Sequence, residues 1–128
     1  MIQKFIELGS GFTDLYEWIE ILNRNQDRIV HIFAFTSHHN NRQYLSYAIA
    51  LTPTQPGDFQ PIYICREGIT LKDGQSKRKD LITFEVEKLG KTIIPIDVKH
   101  SSFFETSDLF YNYLIALLRL NHLIPPLQ

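Results

Sequence analysis

Two consecutive stretches, residues 28–37 and 43–52, are rich in β-branched and aromatic residues and are apolar on both faces of the strands they predict. The first stretch contains two alternating apolar sets, which are Ile29, Phe33 and Phe35, and Val30, Ile32 and Ala34. Strands of this type are usually central in a sheet and covered on both sides. The intervening His-His-Asn-Asn at 38–41 is typical of a turn, because Asn adopts positive φ at low cost. The pattern predicts a hairpin at the centre of a sheet that has layers on both faces.

Three shorter stretches predict further strands, at residues 2–8, 60–66 and 92–98. Pro95 removes one backbone donor from the last of them, which indicates an edge strand or a bulge. The stretch between the predicted strand at 60–66 and the next helix, residues 69–75, is predicted to be a polar connection.

Three further stretches predict helices. The first begins with Thr13 as a favourable N-cap residue, and its buried stripe has the spacing of an amphipathic helix, with Leu15, Trp18, Ile19 and Leu22. The second is predicted from Ser76 to Leu89. The third is predicted from a Ser107 cap to about Leu123, ahead of the helix-breaking prolines at 125 and 126.

Together these elements predict a single α/β or α+β domain over residues 1–128, in the order β-α-β-β-β-α-β-α, with a mixed sheet of about five strands and three helices. The order also suggests an alternative, a restriction-endonuclease-like core. Nucleases with that core need an Asp on the second core strand and a Glu/Asp-x-Lys on the third. Residues 43–52 contain no carboxylate, and residues 65–68 do not form the second motif. The alternative therefore lacks the catalytic residues, and its fold alone implies no function.

The composition excludes several classes of function. The net charge is −1, with 21% charged and 44% hydrophobic residues, so there is no overall attraction to nucleic acid or to an anionic membrane. No uncharged apolar run reaches the length of about 18 residues that a membrane span needs, and the first residues lack the pattern of a signal peptide. The single cysteine excludes an internal disulfide and fits a reducing compartment. We therefore expect a cytoplasmic protein whose partners are neither membranes nor nucleic acids.

The middle of the chain is the first predicted binding region. Residues 52–69 hold three of the six prolines and the only cysteine, so a stiff loop leads into a short strand that ends in charge and glycine. Loops held by a rigid scaffold often carry binding groups. Arg66 and Glu67 are predicted polar anchors, since a guanidinium can grip a carboxylate or phosphate, and Tyr63 is a predicted aromatic contact. The alternative is a local ion pair at the rim of the sheet, with Cys65 as a small core residue.

The start of the second predicted helix is a candidate anion site, formed by Ser76, Lys77 and Arg78. Cations oppose the macrodipole at a helix N-terminus, and a bound anion would resolve that conflict. The alternative is a solvated turn. No metal site and no cofactor are predicted, because the chain has no HxH, HExxH or CxxC motif.

The last predicted helix is apolar nearly all round between Leu109 and Leu120, with a narrow polar strip that includes Asn112 and Arg119. A helix of this type requires burial on two sides. The sheet can cover one side and a second copy of the chain the other, since two-fold dimers are the commonest assembly. A homodimer through Leu109–Leu120 is therefore predicted. The alternative is a central helix, or one covered by the terminal tail.

Three segments carry a family resemblance: Phe-Ile-Glu-Leu-Gly at 5–9, Pro-Gly-Asp-Phe-Gln-Pro with Tyr-Ile-Cys-Arg-Glu-Gly-Ile at 56–69, and Leu-Arg-Leu-Asn with Ile-Pro-Pro at 118–126. They are similar to segments of a family of short uncharacterised proteins from bacilli, over almost the whole chain. Some members carry an automatic methylthioribose kinase label. The chain gives that label no support, because it has no Gly-rich phosphate loop, His-Arg-Asp catalytic loop or Asp-Phe-Gly magnesium site.

The sequence thus predicts a small non-enzymatic binding or regulatory domain, homodimeric, with a small ligand or a protein as its partner near Tyr63, Arg66 and Glu67. The alternative is a small enzyme or degenerate nuclease-like protein with its site near Arg66 and Glu67, assisted by a histidine.

Overall fold

The structure, a computed structural model, describes residues 1–8, 12–65, 69–71, 76–100 and 104–126. Within these residues the helices and strands are β1 (Gln3–Glu7), α1 (Phe12–Arg24), β2 (Ile29–His39), β3 (Arg42–Leu51), β4 (Gln60–Ile64), β5 (Ile69–Leu71), α2 (Lys77–Lys88), β6 (Ile93–Asp97) and α3 (Ser107–Leu120). The predicted order of elements is confirmed, and the chain forms a single α+β domain. The short strand β5 is an addition to that order, and it lies where a polar connection was expected.

One mixed sheet contains all the described strands, in the order β1-β4-β3-β2-β6, with β5 also paired to β3. Its outer pairs, β1 with β4 and β2 with β6, are parallel. The two pairs that β3 makes with β2 and β4 are antiparallel. β5 pairs with β3 at Gln43–Leu45, whereas β4 pairs with it at Ala48–Ala50. The strands β4 and β5 therefore lie in line along the same edge of β3.

The hairpin of β2 and β3 forms the centre of the sheet, as its two apolar faces predicted. Its turn is Asn40-Asn41, with φ of 51° and 63°, which is the pair of positive φ values that a tight two-residue hairpin turn requires. The alternation of side chains along both strands then divides the apolar residues between the two faces of the sheet.

Helices cover both faces of the sheet. The face covered by α1 and α2 has a buried cluster that includes Leu15, Trp18, Leu22, Ile32, Ala34, Leu45, Tyr47, Ile49, Ile82 and Val86. The face covered by α3 has a second buried cluster that includes Phe33, Phe35, Ala48, Ala50, Ile62, Ile64, Phe110, Leu114 and Leu118. The domain is therefore a three-layer sandwich whose core lies on the two sides of one sheet.

The helix starts follow local capping chemistry. The Ser76 hydroxyl accepts a hydrogen bond from the Arg78 amide (3.2 Å) and caps α2, as predicted. The α3 cap is Thr106, whose hydroxyl accepts from the Leu109 amide (3.3 Å). The prediction of Ser107 as that cap was wrong by one residue, because two adjacent hydroxyl residues offer equivalent caps. The first helix likewise begins at Phe12, before its predicted Thr13 cap.

The two edge strands end the sheet in different ways. Pro95 lies on the edge strand β6, as predicted, where a missing backbone donor is tolerated. On the opposite edge, β1 is joined to the chain after α3 through Gln3, whose amide donates to the Gln60 side chain (3.3 Å) and to the Pro125 carbonyl (3.1 Å). The Arg119 guanidinium in turn donates to the Gln3 side-chain oxygen. Among the described residues, no helix has the length and apolar character that crossing a bilayer requires.

Replacing Ile82 by alanine should lower the free energy of unfolding by about 2–5 kcal/mol, because the side chain is fully buried between α2 and the sheet. Phe84→Ala on the same helix is the matched control, since Phe84 is 61% exposed. It should change stability by less than about 1 kcal/mol. Chemical denaturation of both variants measures this, and equal losses would contradict the packing of α2 on the sheet.

Candidate functional site

A cleft lies between α2 and the part of the sheet formed by β2, β3 and β6, with a volume of about 410 Å³. Its volume falls within the range of small-molecule sites, roughly 300–1,000 Å³. The cleft exists because small side chains face the helix there. Ala34, Thr36 and Pro95 leave the space that larger residues fill elsewhere in this layer.

Three kinds of residue line the cleft. The apolar ones are Ala34, Leu45, Leu71, Val86, Ile93 and Pro95. The neutral polar ones are Thr36, Gln43, Tyr47, Thr83 and Thr92. The charged ones are Lys79, Glu87 and Lys91. An apolar wall with a few convergent polar groups is the usual composition of a ligand site.

Tyr47 is the most informative residue of the cleft. It is only 3% exposed, and its ring lies against Trp18 with centroids 5.7 Å apart. Among the described residues, no hydrogen bond is made to the Tyr47 hydroxyl, although the residue lines the cleft. This hydroxyl is not among the fully buried unpartnered atoms of the described residues. It is therefore open to the cleft, where a ligand can donate a hydrogen bond to it or accept one from it.

The pKa of Tyr47 is raised from 10.0 to about 12, mainly because burial disfavours the phenolate and secondarily because the Asp80 carboxylate repels it. The group is therefore a neutral phenol over the whole physiological range. It can both donate and accept a hydrogen bond.

Three other neutral polar side chains of the cleft also lack a hydrogen-bond partner in the described part of the chain: Thr36, Gln43 and Thr92. The Thr83 hydroxyl donates to the Lys79 carbonyl one turn earlier in α2 (3.0 Å) and retains acceptor capacity. The cleft thus presents several neutral hydrogen-bonding groups beside an apolar wall.

Two of the three charged residues that line the cleft are exposed. Glu87 and Lys91 are exposed, and Lys79 is half-buried. Lys91 reaches this position because α2 ends at a glycine, Gly90, with φ of 73°, and the Lys91 amide donates back to the Val86 carbonyl (3.2 Å). Charges of both signs therefore lie where water can solvate them.

The predicted strand-end site is only partly described. Tyr63 is half-buried in β4 and packs against the cluster under α1 and α2, but it does not line the cleft. Arg66 and Glu67 lie outside the described residues, so their proposed role stays a prediction. Cys65 is buried in the same cluster, in agreement with its interpretation as a core residue. The loop before β4, residues 54–59, is exposed.

The anion site predicted at Ser76, Lys77 and Arg78 also stays a prediction. The Ser76 hydroxyl is occupied by its cap bond to the Arg78 amide, Lys77 is exposed and Arg78 is half-buried. None of the three lines the cleft.

A shallower depression of about 510 Å³ lies beside the cleft at the hairpin turn, lined by residues 38–43 and Leu71. Close to the turn, His39 stacks on His100 with ring centroids 4.7 Å apart, and Tyr44 contacts His100 at 4.8 Å. In the part of the chain that the structure describes, no group of three or more His, Cys, Asp or Glu side chains could hold a metal ion.

Sequence patterns did not predict the cleft. Its one signal is that Gln43 and Tyr47 lie on the same face of β3, where the other residues from Leu45 onward are apolar: Leu45, Ile49 and Leu51. Both residue types also occur in ordinary strands, so this signal is weak without the position of α2.

One family model matches residues 1–124, with the description Domain of unknown function (DUF7147). The expectation of an uncharacterised family is thereby confirmed. No curated protein and no solved structure matches the chain, so the restriction-endonuclease-like alternative for the fold stays a prediction.

The raised pKa of Tyr47 predicts a specific pH dependence of stability. An unfolded chain loses the phenol proton near pH 10, whereas the folded chain keeps it to about pH 12. This contribution to stability is therefore complete below pH 10 and is lost as the pH rises from 10 to 12, by about 2–3 kcal/mol at most. Tyr47→Phe should remove that part of the decline, as measured by urea denaturation between pH 9 and 12.

The matched control for this titration is Tyr16→Phe, since Tyr16 is exposed on α1. It should leave the alkaline decline of stability unchanged. Identical pH profiles for the wild-type protein and the Tyr47→Phe variant would contradict the burial of this phenol.

Proposed function

We propose that this chain, which belongs to the DUF7147 family, is a non-enzymatic binding domain that takes a small ligand in the cleft between α2 and the sheet. The observation that supports the proposal is the hydroxyl of Tyr47, which has no hydrogen-bond partner among the described residues and is not one of their fully buried unpartnered atoms, so it is open to the cleft. A ligand group that bonds this hydroxyl replaces water as its partner, and a typical hydrogen bond of this kind contributes about 0.5–1.5 kcal/mol net.

The rest of the cleft suits binding more than catalysis. The groups on its inner wall are hydroxyl, amide and phenol groups, which orient a ligand through hydrogen bonds. Among the described lining residues, the one carboxylate, that of Glu87, is exposed. The wall is built on two central strands and a capped helix, so it is largely formed before a ligand arrives.

The site near Arg66 and Glu67 is the competing location, both for a ligand and for the small-enzyme or degenerate nuclease-like alternative. Leu71, at the end of the next strand, lines the cleft, so the two locations are close along the chain. Variants specific to each location are therefore needed to tell them apart.

The single cysteine also supports a cytoplasmic location, which cell fractionation tests.

A fragment screen by ¹H–¹⁵N NMR on the full chain tests the cleft. Bound fragments should shift the amides of Ala34, Tyr47 and Val86. Thr83→Phe adds a large side chain to the cleft wall and should weaken those fragments at least about tenfold, through steric exclusion. Thr70→Phe, at an exposed position on β5, is the matched control and should leave binding unchanged.

The competing site has its own variant in the same screen. If the double variant Arg66→Ala with Glu67→Ala abolishes fragment binding and Thr83→Phe does not, the ligand site lies at the strand end and the cleft proposal is wrong.

The second part of the proposal is that two copies of the chain associate through α3. The buried side of this helix is Phe110, Leu114 and Leu118. Its outer side carries a continuous stripe without charge, the α3 stripe, formed by Leu109, Asn112, Ala116 and Leu120. Leu109 is 50% exposed and Leu120 is 78% exposed.

The α3 stripe is self-complementary, which favours a second copy as its partner. Its spacing is nearly symmetric about residue 114, so antiparallel packing places Leu109 of each copy against Leu120 of the other and Asn112 against Ala116. A two-fold axis requires this kind of reciprocal contact. The same packing places the first turn of each α3 helix, which contains Asp108, beside the last turn of the other copy's helix, which contains Arg119.

Sedimentation velocity at micromolar concentration tests the dimer. The wild-type protein should sediment at twice the 15.0 kDa mass of one chain. Leu109→Glu combined with Leu120→Glu should sediment as a single chain, because two pairs of like charges would face each other across the interface. Phe84→Glu, at an exposed position in the opposite helical layer, should still dimerise. Single chains of wild-type protein at 100 μM would contradict the proposal.

A further inference from the structure

Two of the three charged residues that line the cleft are exposed, and this limits the chemistry of its ligand. Tyr47 is the least exposed of the polar lining residues, at 3%. Gln43 and Thr36 are half-buried. Glu87 and Lys91 are exposed, whereas Lys79 is half-buried. Among the described residues, the ligand's inner part therefore meets mainly neutral partners.

A charged ligand group at the inner wall would be unstable there. Burial of an ion without a charged partner is costly, whereas burial of a neutral polar group is tolerated when its hydrogen bonds are made. The two charges that act there have opposite signs, since Lys79 is half-buried in the lining and the Asp80 carboxylate acts electrostatically on the Tyr47 hydroxyl. An anion is attracted by Lys79 and repelled by Asp80, and a cation meets the reverse, so neither finds a net complementary charge.

The neutral groups of the wall can both donate and accept. The Gln43 amide carries both functions in one plane, and the hydroxyls of Tyr47 and Thr36 rotate to serve either. A ligand that satisfies them must itself carry a donor and an acceptor. The apolar wall of Ala34, Leu45 and Val86 covers the ligand's remaining surface.

We propose that the cleft binds an uncharged amide or heterocyclic compound, with a hydrogen-bond donor and acceptor at its inner edge and an apolar body against Ala34 and Val86. This inference rests on the proposed function, since it names the ligand class of the same cleft. The inner edge bonds the Tyr47 hydroxyl and the Gln43 amide. Any charged substituent of the natural ligand lies at the mouth near Lys91 and Glu87.

Four ligands of nearly equal shape test this class: benzamide, benzoate, benzamidine and toluene. At pH 7 they are neutral with donor and acceptor, anionic, cationic and apolar, respectively. Titration of the ¹⁵N-labelled full chain should show saturable shifts with benzamide at Ala34, Tyr47 and Val86. Benzoate and benzamidine should bind at least about tenfold more weakly, because each would bury a charge whose attraction to one of Lys79 and Asp80 is offset by repulsion from the other.

Tyr47→Phe tests whether benzamide forms a hydrogen bond with the Tyr47 hydroxyl. The variant should weaken benzamide about three- to tenfold, the effect of one lost hydrogen bond, and leave toluene unchanged. Tyr16→Phe, on the exposed side of α1, is the control and should bind benzamide like the wild-type protein. Gln43→Leu is a second, independent variant with the same expected direction, and it applies even if Tyr47→Phe does not fold.

The outcomes separate the ligand class from the proposed function. Tighter binding of benzoate or benzamidine than of benzamide overturns the class and leaves the cleft as a binding site. The absence of benzamide binding, with other fragments still shifting the cleft amides, has the same meaning. If no fragment at all shifts Ala34, Tyr47 or Val86, both the class and the proposed function are wrong.

Discussion

The burial of β2 and β3 on both faces is the constraint on which the rest of the structure depends. Fully buried residues alternate along these strands between the two sides of the sheet, with Ile32 and Ile49 on one side and Phe33 and Ala48 on the other. Each large apolar side chain contributes about 1.5–3 kcal/mol when it leaves water. A single layer of helices would leave one of these sets exposed. The three-layer sandwich follows, with α1 and α2 on one face and α3 on the other.

The cleft is the place where this covering is incomplete. Ala34 lies in the middle of β2, between Phe33 and Phe35. Because its side chain is small, it leaves space under α2. The Tyr47 hydroxyl, which has no hydrogen-bond partner among the described residues, is open to this space. Departures of this kind from good packing are expected at functional sites, where a ligand supplies the missing contacts. The two faces also differ, because α3 closes its face of the sheet with a denser set of aromatic residues: Phe33, Phe35, Phe104, Phe110, Tyr111 and Tyr113.

Much of the fold could be predicted from sequence because local and global signals agree. The two-sided apolar strands placed the hairpin at the centre, Pro95 placed β6 at an edge, and Ser76 marked the start of α2. The strand β5 was missed because three residues of alternating polarity carry too little pattern, and its pairing with β3 is a long-range contact. The Thr106 cap was missed because Ser107 is chemically equivalent.

The candidate site was much harder to predict than the fold. The prolines and the charge at the end of the predicted strand 60–66 directed attention to Arg66 and Glu67, which lie outside the described residues. The cleft depends instead on how α2 sits over Ala34 and beside Tyr47, and no local motif records that placement.

A crystal structure of the protein soaked with benzamide tests the central claim, that the α2 cleft is a preformed site whose inner wall recognises a neutral ligand. The account predicts an open cleft with the amide within about 3 Å of the Tyr47 hydroxyl oxygen. A closed cleft, with Val86 packed on Ala34 and the Tyr47 hydroxyl bonded to the Asp80 carboxylate, would contradict it.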